Sequence, residues 1–529
     1  MVKGIKSTEE MLDRVGDQMK KNKTVNTVLM VVYLTVFSKL FGLARDIMIG
    51  YRYGTSLESD AYFAAYRMTI TIFLSIGSAI TATAIPFVVA YIREGDRKRL
   101  FDFTGNLMTV LLAAGAFISV AGMLLSPWYT KMIAIGFEGD KLALTVSIVR
   151  IFFPVMAIVP LVYSLISFLQ AKGKFAITSI VSIPYNLILV SYLVFFNSFF
   201  GVSGLAYATL LGWVGQFIIL HVFSKKESFS YKAIFSLGSE MRSVFALMVP
   251  ILFSSAVYNI NVLVDSSIAS TLADGQLASL NFANIAYTAV STTMIFGIST
   301  VLFPQFSTLA AENKIAELRK RISKAVQVMI FVFMPIVFGI LAINKELVQV
   351  LYQRGTFDID SVNFTSGALC FYAVGMVGFS IQELSNKVFY ALKDTKTPFY
   401  TSLASVAVNI ALDLLLVEIM GIRGLALATS IAVTLNGLIM LHLIQKRLGK
   451  LEKRKILAQL IKVTLVGALM MIAVAVFNMA PIVLYFRLIM SILLGIVLYY
   501  IMSSRMALPE IEYIKTEINS LREKRKGRS

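Results

Sequence analysis

Two long runs without Asp, Glu, Lys or Arg constrain the fold of this chain more than any other feature. One covers residues 103–130 and the other residues 175–224, which a predicted turn at Asn197 to Gly204 divides into two segments. About 20 apolar residues in a helix cross the hydrocarbon of a bilayer, and lipid cannot satisfy an open backbone, so spans must be helical. With 57% hydrophobic residues and a mean hydropathy of +0.77, the sequence predicts an all-α polytopic membrane protein.

Apolar runs and the breaker residues between them predict fourteen transmembrane helices. The predicted spans are residues 25–50, 60–91, 101–128, 141–170, 174–197, 203–223, 243–271, 277–309, 322–343, 361–391, 397–417, 423–445, 456–478 and 481–503. The first 24 residues are too polar for a cleaved secretory signal, so we expect the first hydrophobic helix to be retained as the insertion signal.

Charge predicts the orientation of these spans. When both termini are placed in the cytoplasm, most of the 49 Lys and Arg residues fall in loops on that side, and few, Lys141 among them, fall in the opposite loops. Such an asymmetry is the positive-inside rule. The net charge of +19 therefore predicts basic loops beside anionic lipid at the cytoplasmic face of a membrane, and a nucleic-acid partner is not expected.

An internal repeat accounts for the number of helices. GVSGLAYAT at 201–209 returns as GIRGLALAT at 421–429, with six identities at an offset of 220 residues, and Asn186 aligns with Asn409 at a similar offset. Two parallel six-helix lobes plus two C-terminal helices are predicted, with a pseudo-twofold axis along the membrane normal and a cavity suited to alternating access. The predicted domains are a cytoplasmic N-terminal segment at 1–24, an N-lobe at 25–223, a cytoplasmic linker at 224–242, a C-lobe at 243–445, two further helices at 446–503 and a basic cytoplasmic tail at 504–529.

Several classes of function are disfavoured by what the sequence lacks. The single cysteine, Cys370, excludes an intrachain disulfide and a cysteine-based metal cluster. The sequence has no P-loop and no Ser/His/Asp arrangement, so ATP-driven transport by this chain alone and ordinary hydrolysis are both disfavoured. We expect no organic cofactor, and the sequence leaves the oligomeric state open.

Charged residues in the first two helices form the first candidate site. Arg45 lies beside Asp46 inside an apolar helix, Lys39 lies six residues earlier, and Arg67 follows Asp60 by seven residues. Cations that face an internal cavity would attract an anion, and a guanidinium suits phosphate or pyrophosphate oxygens. The alternative is that Arg45 is a snorkelling side chain held by Asp46 at the end of a helix.

Oxygen-bearing residues of the second lobe form the other candidate site. Asp265 aligns with the Arg45 region of the first lobe but has no adjacent arginine, and Asn409 and Asp413 share one helix face, as do Leu425 and Thr429. Two carboxylates, an amide, a hydroxyl and a backbone carbonyl suit Na⁺ or a proton. The alternative is that the two acids separately accept hydrogen bonds from Ser, Asn or Tyr neighbours.

Five motifs together resemble the MurJ (MviN) family of lipid II flippases, which belongs to the multidrug, oligosaccharidyl-lipid and polysaccharide exporter (MOP) superfamily. The motifs are VFSKLFGLARD at 36–46, ESDAYFAA at 58–65, RGTFD at 354–358, ALKDTKTP at 391–398 and GLALATS at 424–430. The resemblance covers about residues 25–450. It implies two six-helix lobes in a V shape, with the last two helices beside a groove for a polyprenyl tail.

The resemblance also implies roles for individual residues. The family's first-helix cations and acid correspond to Lys39, Arg45 and Asp46, and its second-helix acid corresponds to Asp60. A sodium site of some members corresponds to the oxygen-bearing residues already named, which are Asp265, Asn409, Asp413, Thr429 and the backbone of Leu425.

Two cations of the family pattern are missing. Where many members have a cavity arginine midway along the second helix, this chain has Ile72 or Phe73, and at the start of the eighth helix it has Asn284 or Ile285. The expected substrate is lipid II or a related polyprenyl-pyrophosphate glycolipid, flipped from the inner to the outer leaflet by membrane potential or Na⁺. The alternatives are a flippase for another polyprenyl-linked glycan, a cation-coupled drug exporter and a non-transporting envelope scaffold.

Overall fold

The computed structural model describes residues 30–31, 33–508 and Glu510. These residues form helices joined by turns and, at 227–238, by a longer non-helical segment, and none of them lies in a β-strand. The helices are α1 (33–53), α2 (Leu57–Met68), α3 (Ile70–Glu94), α4 (Arg97–Ile133), α5 (Gly139–Phe152), α6 (Val155–Ala171), α7 (Phe175–Ser179), α8 (Ser182–Phe195), α9 (Asn197–Lys226), α10 (Ser239–Ser270), α11 (Gln276–Ala311), α12 (Ile315–Tyr352), α13 (Ile359–Val374), α14 (Met376–Ala391), α15 (Lys396–Met420), α16 (Ile422–Leu448), α17 (Lys453–Asn478) and α18 (Leu484–Arg505). The predicted N-terminal segment and nearly all of the predicted basic tail lie outside this range.

The all-α polytopic prediction is confirmed. Within the described residues, 12 helical segments are long and apolar enough to cross a bilayer, and the bent pair α13 and α14 makes 13. The helix α1 occupies the position of the first predicted span, although part of that span lies outside the described residues. The predicted number of fourteen is compatible with this count.

The structure divides several predicted spans that the sequence treats as continuous. The second span is two helices that meet at Thr69, and the fifth is the short α7 followed by α8. The tenth span bends by 46° between α13 and α14, where a Cβ on Gly375 would lie 2.5 Å from the Ser430 hydroxyl oxygen. Hydropathy does not detect such bends, because a broken apolar helix and a straight one have the same composition.

The described chain packs into two units. Unit 1 contains residues up to Met48, Ala65–Thr130 and Ala143–Ser255, and unit 2 contains Ile49–Ala64, Lys131–Leu142 and the chain from Ala256 onward. In unit 1, α3 packs along α6 and α8 packs along α9. In unit 2, α16 packs against α13, α14 and α15, while α12 packs against α17 and α18. These units are defined by packing, so the predicted lobe boundaries remain predictions.

The two copies of the repeated motif have the same local backbone. Gly201 has φ 54° and ψ −151°, and Gly421 has φ 57° and ψ −136°. Residues with a side chain rarely adopt this region, which explains why both copies begin with glycine. Eight residues after each glycine a threonine hydroxyl donates to a backbone carbonyl one turn earlier, from Thr209 to Leu205 at 2.9 Å and from Thr429 to Leu425 at 3.0 Å. The sequence repeat is therefore a repeat of local structure.

Candidate substrate and ion sites

Arg45 and Asp46 form an ion pair on α1, within unit 1. The Arg45 Nη2 lies 2.7 Å from Asp46 Oδ1, and the Arg45 Nε donates to the same oxygen at 2.9 Å. The guanidinium lies 5.7 Å from the ring centre of Tyr185 in α8, within cation–π range. The exposed fraction is 20% for the Arg45 side chain and 7% for that of Asp46. The guanidinium is thus fixed in place without being sealed off.

Two tyrosines that the sequence analysis did not single out support this pair. Tyr66 in α2 interacts electrostatically with Arg45 and Asp46 and lies near Tyr185. Tyr185 directly precedes Asn186, which the repeat aligns with Asn409. This neighbourhood was the only sequence signal for Tyr185. Tyrosine side chains packed around a guanidinium orient it and leave its charge available to an anion.

The other predicted cations of this site lie on the same helices but differ in exposure. Lys39 is exposed on α1, about 9 Å before Arg45 at the helical rise of about 1.5 Å per residue. Arg67 is half-buried near the end of α2, and both side chains take part in interactions of their own. Unit 1 therefore contains all three predicted cations together with Asp46.

Asp60 belongs to unit 2 and has a different environment. Its side chain is buried, and its two oxygens accept hydrogen bonds from the backbone N–H groups of Gly275 and Ala278, each at 2.7 Å. These amides lie at the amino end of α11, where a helix favours a negative charge. The structure thus separates Asp60 from Arg45 and Asp46 by packing unit and gives its carboxylate local partners.

Lys141 completes the surroundings of Asp60, and the sequence analysis placed this lysine only in a loop. Its ammonium lies 2.7 Å from an Asp60 oxygen and 2.8 Å from Asp274, with only 9% of the lysine side chain exposed. It also lies 4.2 Å from the ring centre of Phe137. The partners come from segments far apart in the chain, so no local sequence signal could have joined them. The result is a buried carboxylate with both a cation and backbone donors.

The predicted ion site lies in unit 2 on three helices. Asp413 and Asn409 on α15 are 0% and 2% exposed, and the carboxylate oxygens of Asp413 and both amide atoms of Asn409 have no hydrogen-bond partner among the protein atoms. The carboxyl group of Asp265 on α10 lies close enough to that of Asp413 for the two to interact electrostatically. Thr429 and the Leu425 carbonyl lie on α16, joined by their own hydrogen bond.

A cation fits this set of donors. A buried carboxylate without a partner is costly, and the donors present at this site are oxygen atoms suited to a hard monovalent ion. The alternative of ordinary hydrogen bonding describes Asp265, which accepts from the Asn261 amide, but it does not describe Asp413. Among the described residues, no group of three or more His, Cys, Asp or Glu side chains could hold a metal ion, so a transition-metal centre is not indicated there.

The equivalent positions in unit 1 lack the second acid. Asn186 is buried, its amide nitrogen donates to the Ser182 carbonyl at 2.9 Å, and its amide oxygen has no protein partner. The residue one turn later, where α15 has Asp413, is Val190. The two repeats therefore share a buried amide and a bonded threonine, and only the repeat in unit 2 carries the carboxylates.

Comparison with known proteins gives the same family at several levels. The sequence profile described as "Lipid II flippase MurJ" matches residues 49–502. A Rickettsia prowazekii protein named "Probable lipid II flippase MurJ" is 25% identical over 414 residues, which cover 77% of this chain and 81% of the relative.

Solved structures agree on the fold. One described as "Lipid II flippase MurJ, inward closed conformation" has a TM-score of 0.77 at 22% identity, covering 91% of this chain and 100% of that one. An inward-facing multidrug resistance MATE family transporter of the MOP superfamily has a TM-score of 0.70 at 14% identity, covering 80% of this chain and 99% of that one.

Proposed function

Because this chain belongs to the lipid II flippase MurJ family, we propose that it moves lipid II, the undecaprenyl-pyrophosphate-linked peptidoglycan precursor, from the inner to the outer leaflet by alternating access. Members of this family are lipid transporters, so the chain is a multi-pass membrane transporter and not a catalytic enzyme. Its setting in this proposal is the bacterial cytoplasmic membrane, with both termini in the cytoplasm.

The observation that carries the substrate proposal is the Arg45 guanidinium inside a membrane helix. A charge in hydrocarbon needs a partner or a purpose, and Arg45 retains 20% exposure although Asp46 neutralises it. A guanidinium can bind pyrophosphate oxygens with two parallel hydrogen bonds. In our proposal Arg45, with Lys39 and Arg67, binds the pyrophosphate, while Asp46 orients the guanidinium.

The remaining parts of the substrate are assigned by chemistry. The polyprenyl tail stays in lipid beside α17 and α18, because an apolar chain gains nothing by leaving hydrocarbon. Asp60 remains a candidate contact for the headgroup. For Asp60 to bind substrate directly it must first release Lys141 or the amides at the start of α11, which makes that contact specific to another conformation.

Sodium binding at Asp265, Asn409, Asp413, Thr429 and the Leu425 carbonyl is the proposed source of coupling. The buried oxygens of Asp413 that lack a partner support it. A bound ion changes the conformational equilibrium only if it binds one state better than the other. Membrane potential can add to this, because one charge moved across 100 mV is worth about 2.3 kcal/mol, enough to change an equilibrium tens of fold.

A second candidate substrate, another polyprenyl-pyrophosphate glycolipid, is favoured by one observation. The positions where many family members carry further arginines are occupied here by uncharged residues, and Phe73 packs 6.0 Å from the ring centre of Phe153 in the interior of unit 1. A substrate whose glycan carries less negative charge than that of lipid II needs fewer fixed cations around it. The shared pyrophosphate recognition by Arg45 is the same for either glycan.

The test uses purified protein in vesicles that contain lipid II, with leaflet accessibility of the lipid as the readout, with and without a sodium gradient. We expect Arg45→Ala to abolish flipping and Arg45→Lys to restore only part of it, because a lysine lacks the planar fork. Arg242→Ala, which removes an exposed arginine at the start of α10, is the matched control and is expected to keep the wild-type rate.

Three outcomes separate the rival functions. Wild-type rates in Arg45→Ala would refute the substrate role of this arginine. Flipping of another polyprenyl-linked glycan, with none of lipid II, would favour the second candidate. No lipid movement at all, together with normal growth of flippase-depleted cells that carry Arg45→Ala, would favour a scaffold, and efflux of cationic dyes would favour a drug exporter.

A further inference from the structure

A side chain outside the predicted ion site contacts one of its carboxylates. Asn261 lies one helical turn before Asp265 on α10, and its amide nitrogen donates to both oxygens of that carboxylate, at 3.4 and 3.3 Å. Residues four apart share a helix face, and amide-to-carboxylate pairs at this spacing stabilise each other. Both side chains are half-buried. A single donor thus spans the two oxygens of Asp265 from its own helix.

This contact restrains the direction in which the carboxylate points. The last torsion of an Asp side chain has a broad, roughly two-fold distribution, so by itself it fixes the carboxylate poorly. An amide group that bonds both oxygens limits this rotation. The N···O distances of 3.3 and 3.4 Å are longer than the usual range of about 2.7–3.2 Å, so the amide restrains the carboxylate only weakly and does not cancel its charge.

The other acid of the site has no such support. Neither oxygen of Asp413 has a hydrogen-bond partner among the protein atoms, and the same is true of the amide of Asn409 on the same helix. The carboxyl groups of Asp265 and Asp413 lie close enough to interact. One acid is therefore held by an amide of its own helix, and the other accepts no hydrogen bond from the protein.

We propose that Asn261 is a positioning residue of the sodium site, which holds the Asp265 carboxylate in the orientation that receives the ion while Asp413 supplies uncommitted oxygens. This rests on the sodium binding proposed above. Partners that hydrogen-bond a metal ligand orient it, and their removal costs about 10-fold to 100-fold in affinity. Because the Asn261 bonds are long, we expect the low end of this range, about tenfold.

The experiment measures sodium affinity without transport. The purified full-length chain in detergent is heated at increasing NaCl, with choline chloride holding ionic strength constant, and the rise of the unfolding midpoint gives an apparent Kd. Asn261→Leu keeps a similar shape but removes the donor, and we expect its Kd to be about tenfold higher. Its midpoint without sodium reports whether it folds.

Two further variants sharpen the result. Asn261→Gln keeps the amide on a longer arm and is expected to lose less affinity than Asn261→Leu. Ser266→Ala is the matched control, since Ser266 is buried on the same helix next to Asp265 and donates to the Val262 carbonyl of its own helix at 2.7 Å. We expect Ser266→Ala to leave the sodium Kd unchanged.

The outcomes distinguish this inference from the function on which it rests. If the wild-type midpoint does not respond to sodium, the proposed ion site fails, and the role of Asn261 fails with it. If the wild type responds and Asn261→Leu has the same Kd, only the positioning role is overturned. Equal losses in the Leu and Gln variants would also overturn it, because they would show an effect of packing and not of the donor.

Discussion

Two of the buried acidic residues in unit 2, Asp60 and Asp413, have opposite surroundings. Asp60 has the ammonium of Lys141 at 2.7 Å and two backbone N–H donors at 2.7 Å each. Asp413 is equally buried, and neither of its oxygens has a protein partner. Burial of either carboxylate is unfavourable, but only that of Asp60 is stabilised by partners within the protein.

The difference separates a structural charge from one that requires a ligand. A satisfied cluster such as that of Asp60 joins the segments that carry it, and removal of Lys141 leaves the buried Asp60 carboxylate without its cation. An unsatisfied carboxylate such as Asp413 has no such partners in the protein, and in our proposal a sodium ion supplies them. The two sites should therefore respond in opposite ways to mutation and to sodium.

Substitution of Lys141 should have the largest effect on stability. Lys141→Met keeps the length of the side chain but leaves Asp60 buried without its cation, and breaking a buried ion pair from one side costs about 3–5 kcal/mol. We expect a large fall in the thermal midpoint of the purified protein, or a loss of folded protein from the membrane.

A double variant tests whether the unpaired charge is the cause. Lys141→Met combined with Asp60→Asn removes both charges and is expected to recover part of the stability. If Lys141→Met alone unfolds at the wild-type midpoint, the Asp60 cluster does not stabilise the fold, and the contrast with Asp413 disappears.

Substitution of Asp413 should show the reverse pattern. In sodium-free buffer Asp413→Asn is expected to cost less than about 1 kcal/mol, because the carboxylate loses no protein hydrogen bond. In sodium at a hundred times the Kd, the wild type gains about 2.7 kcal/mol from binding, and the variant is expected to gain none. Thermal midpoints with NaCl or choline chloride measure both effects.

The result that would refute this prediction is equally clear. A loss of several kcal/mol in Asp413→Asn without sodium would mean that the carboxylate has partners within the fold. A sodium response equal to that of the wild type would place the ion elsewhere. Asp60→Asn serves as the comparison, since it is expected to lose stability in both buffers.

The sequence predicted the helical architecture well because that architecture depends on composition. Runs such as residues 103–130 have no alternative to a membrane-spanning helix, and the glycines that begin each repeat copy, Gly201 and Gly421, have the backbone that only glycine readily adopts. The breaks at Thr69 and Gly375 were not predicted, because a broken apolar helix has the same composition as a straight one.

The candidate sites were predictable only in part. Each acid of the ion site stood out as a charge in an apolar helix, and Asn261 was also available to the sequence analysis through its spacing of four residues from Asp265. The partnership of Asp60 with Lys141 was not available, because the two residues lie 81 positions apart and meet only after folding. Whether a buried charge is satisfied is a property of tertiary structure, so residue types alone could not separate Asp60 from Asp413.

Asp358 offers the smallest effect, an exposed acid that is satisfied by its own turn. It precedes α13, and its Oδ1 accepts the Ser361 backbone N–H at 2.8 Å and the Ser361 hydroxyl at 2.7 Å, which holds the pKa of this carboxyl below its ordinary value of 3.8. Since the folded-state pKa is lowered, the stabilisation is complete above the ordinary value and is lost as pH falls through the folded value.

We expect Asp358→Ala to cost about 1 kcal/mol at pH 7. The difference in thermal midpoint between wild type and this variant should close as the buffer is taken below pH of about 4. Asp358→Asn caps the helix without titrating, so its thermal midpoint should stay above that of Asp358→Ala at every pH. If the difference in midpoint between wild type and Asp358→Ala stays constant down to the lowest pH, the ionised carboxylate is not what stabilises this helix end.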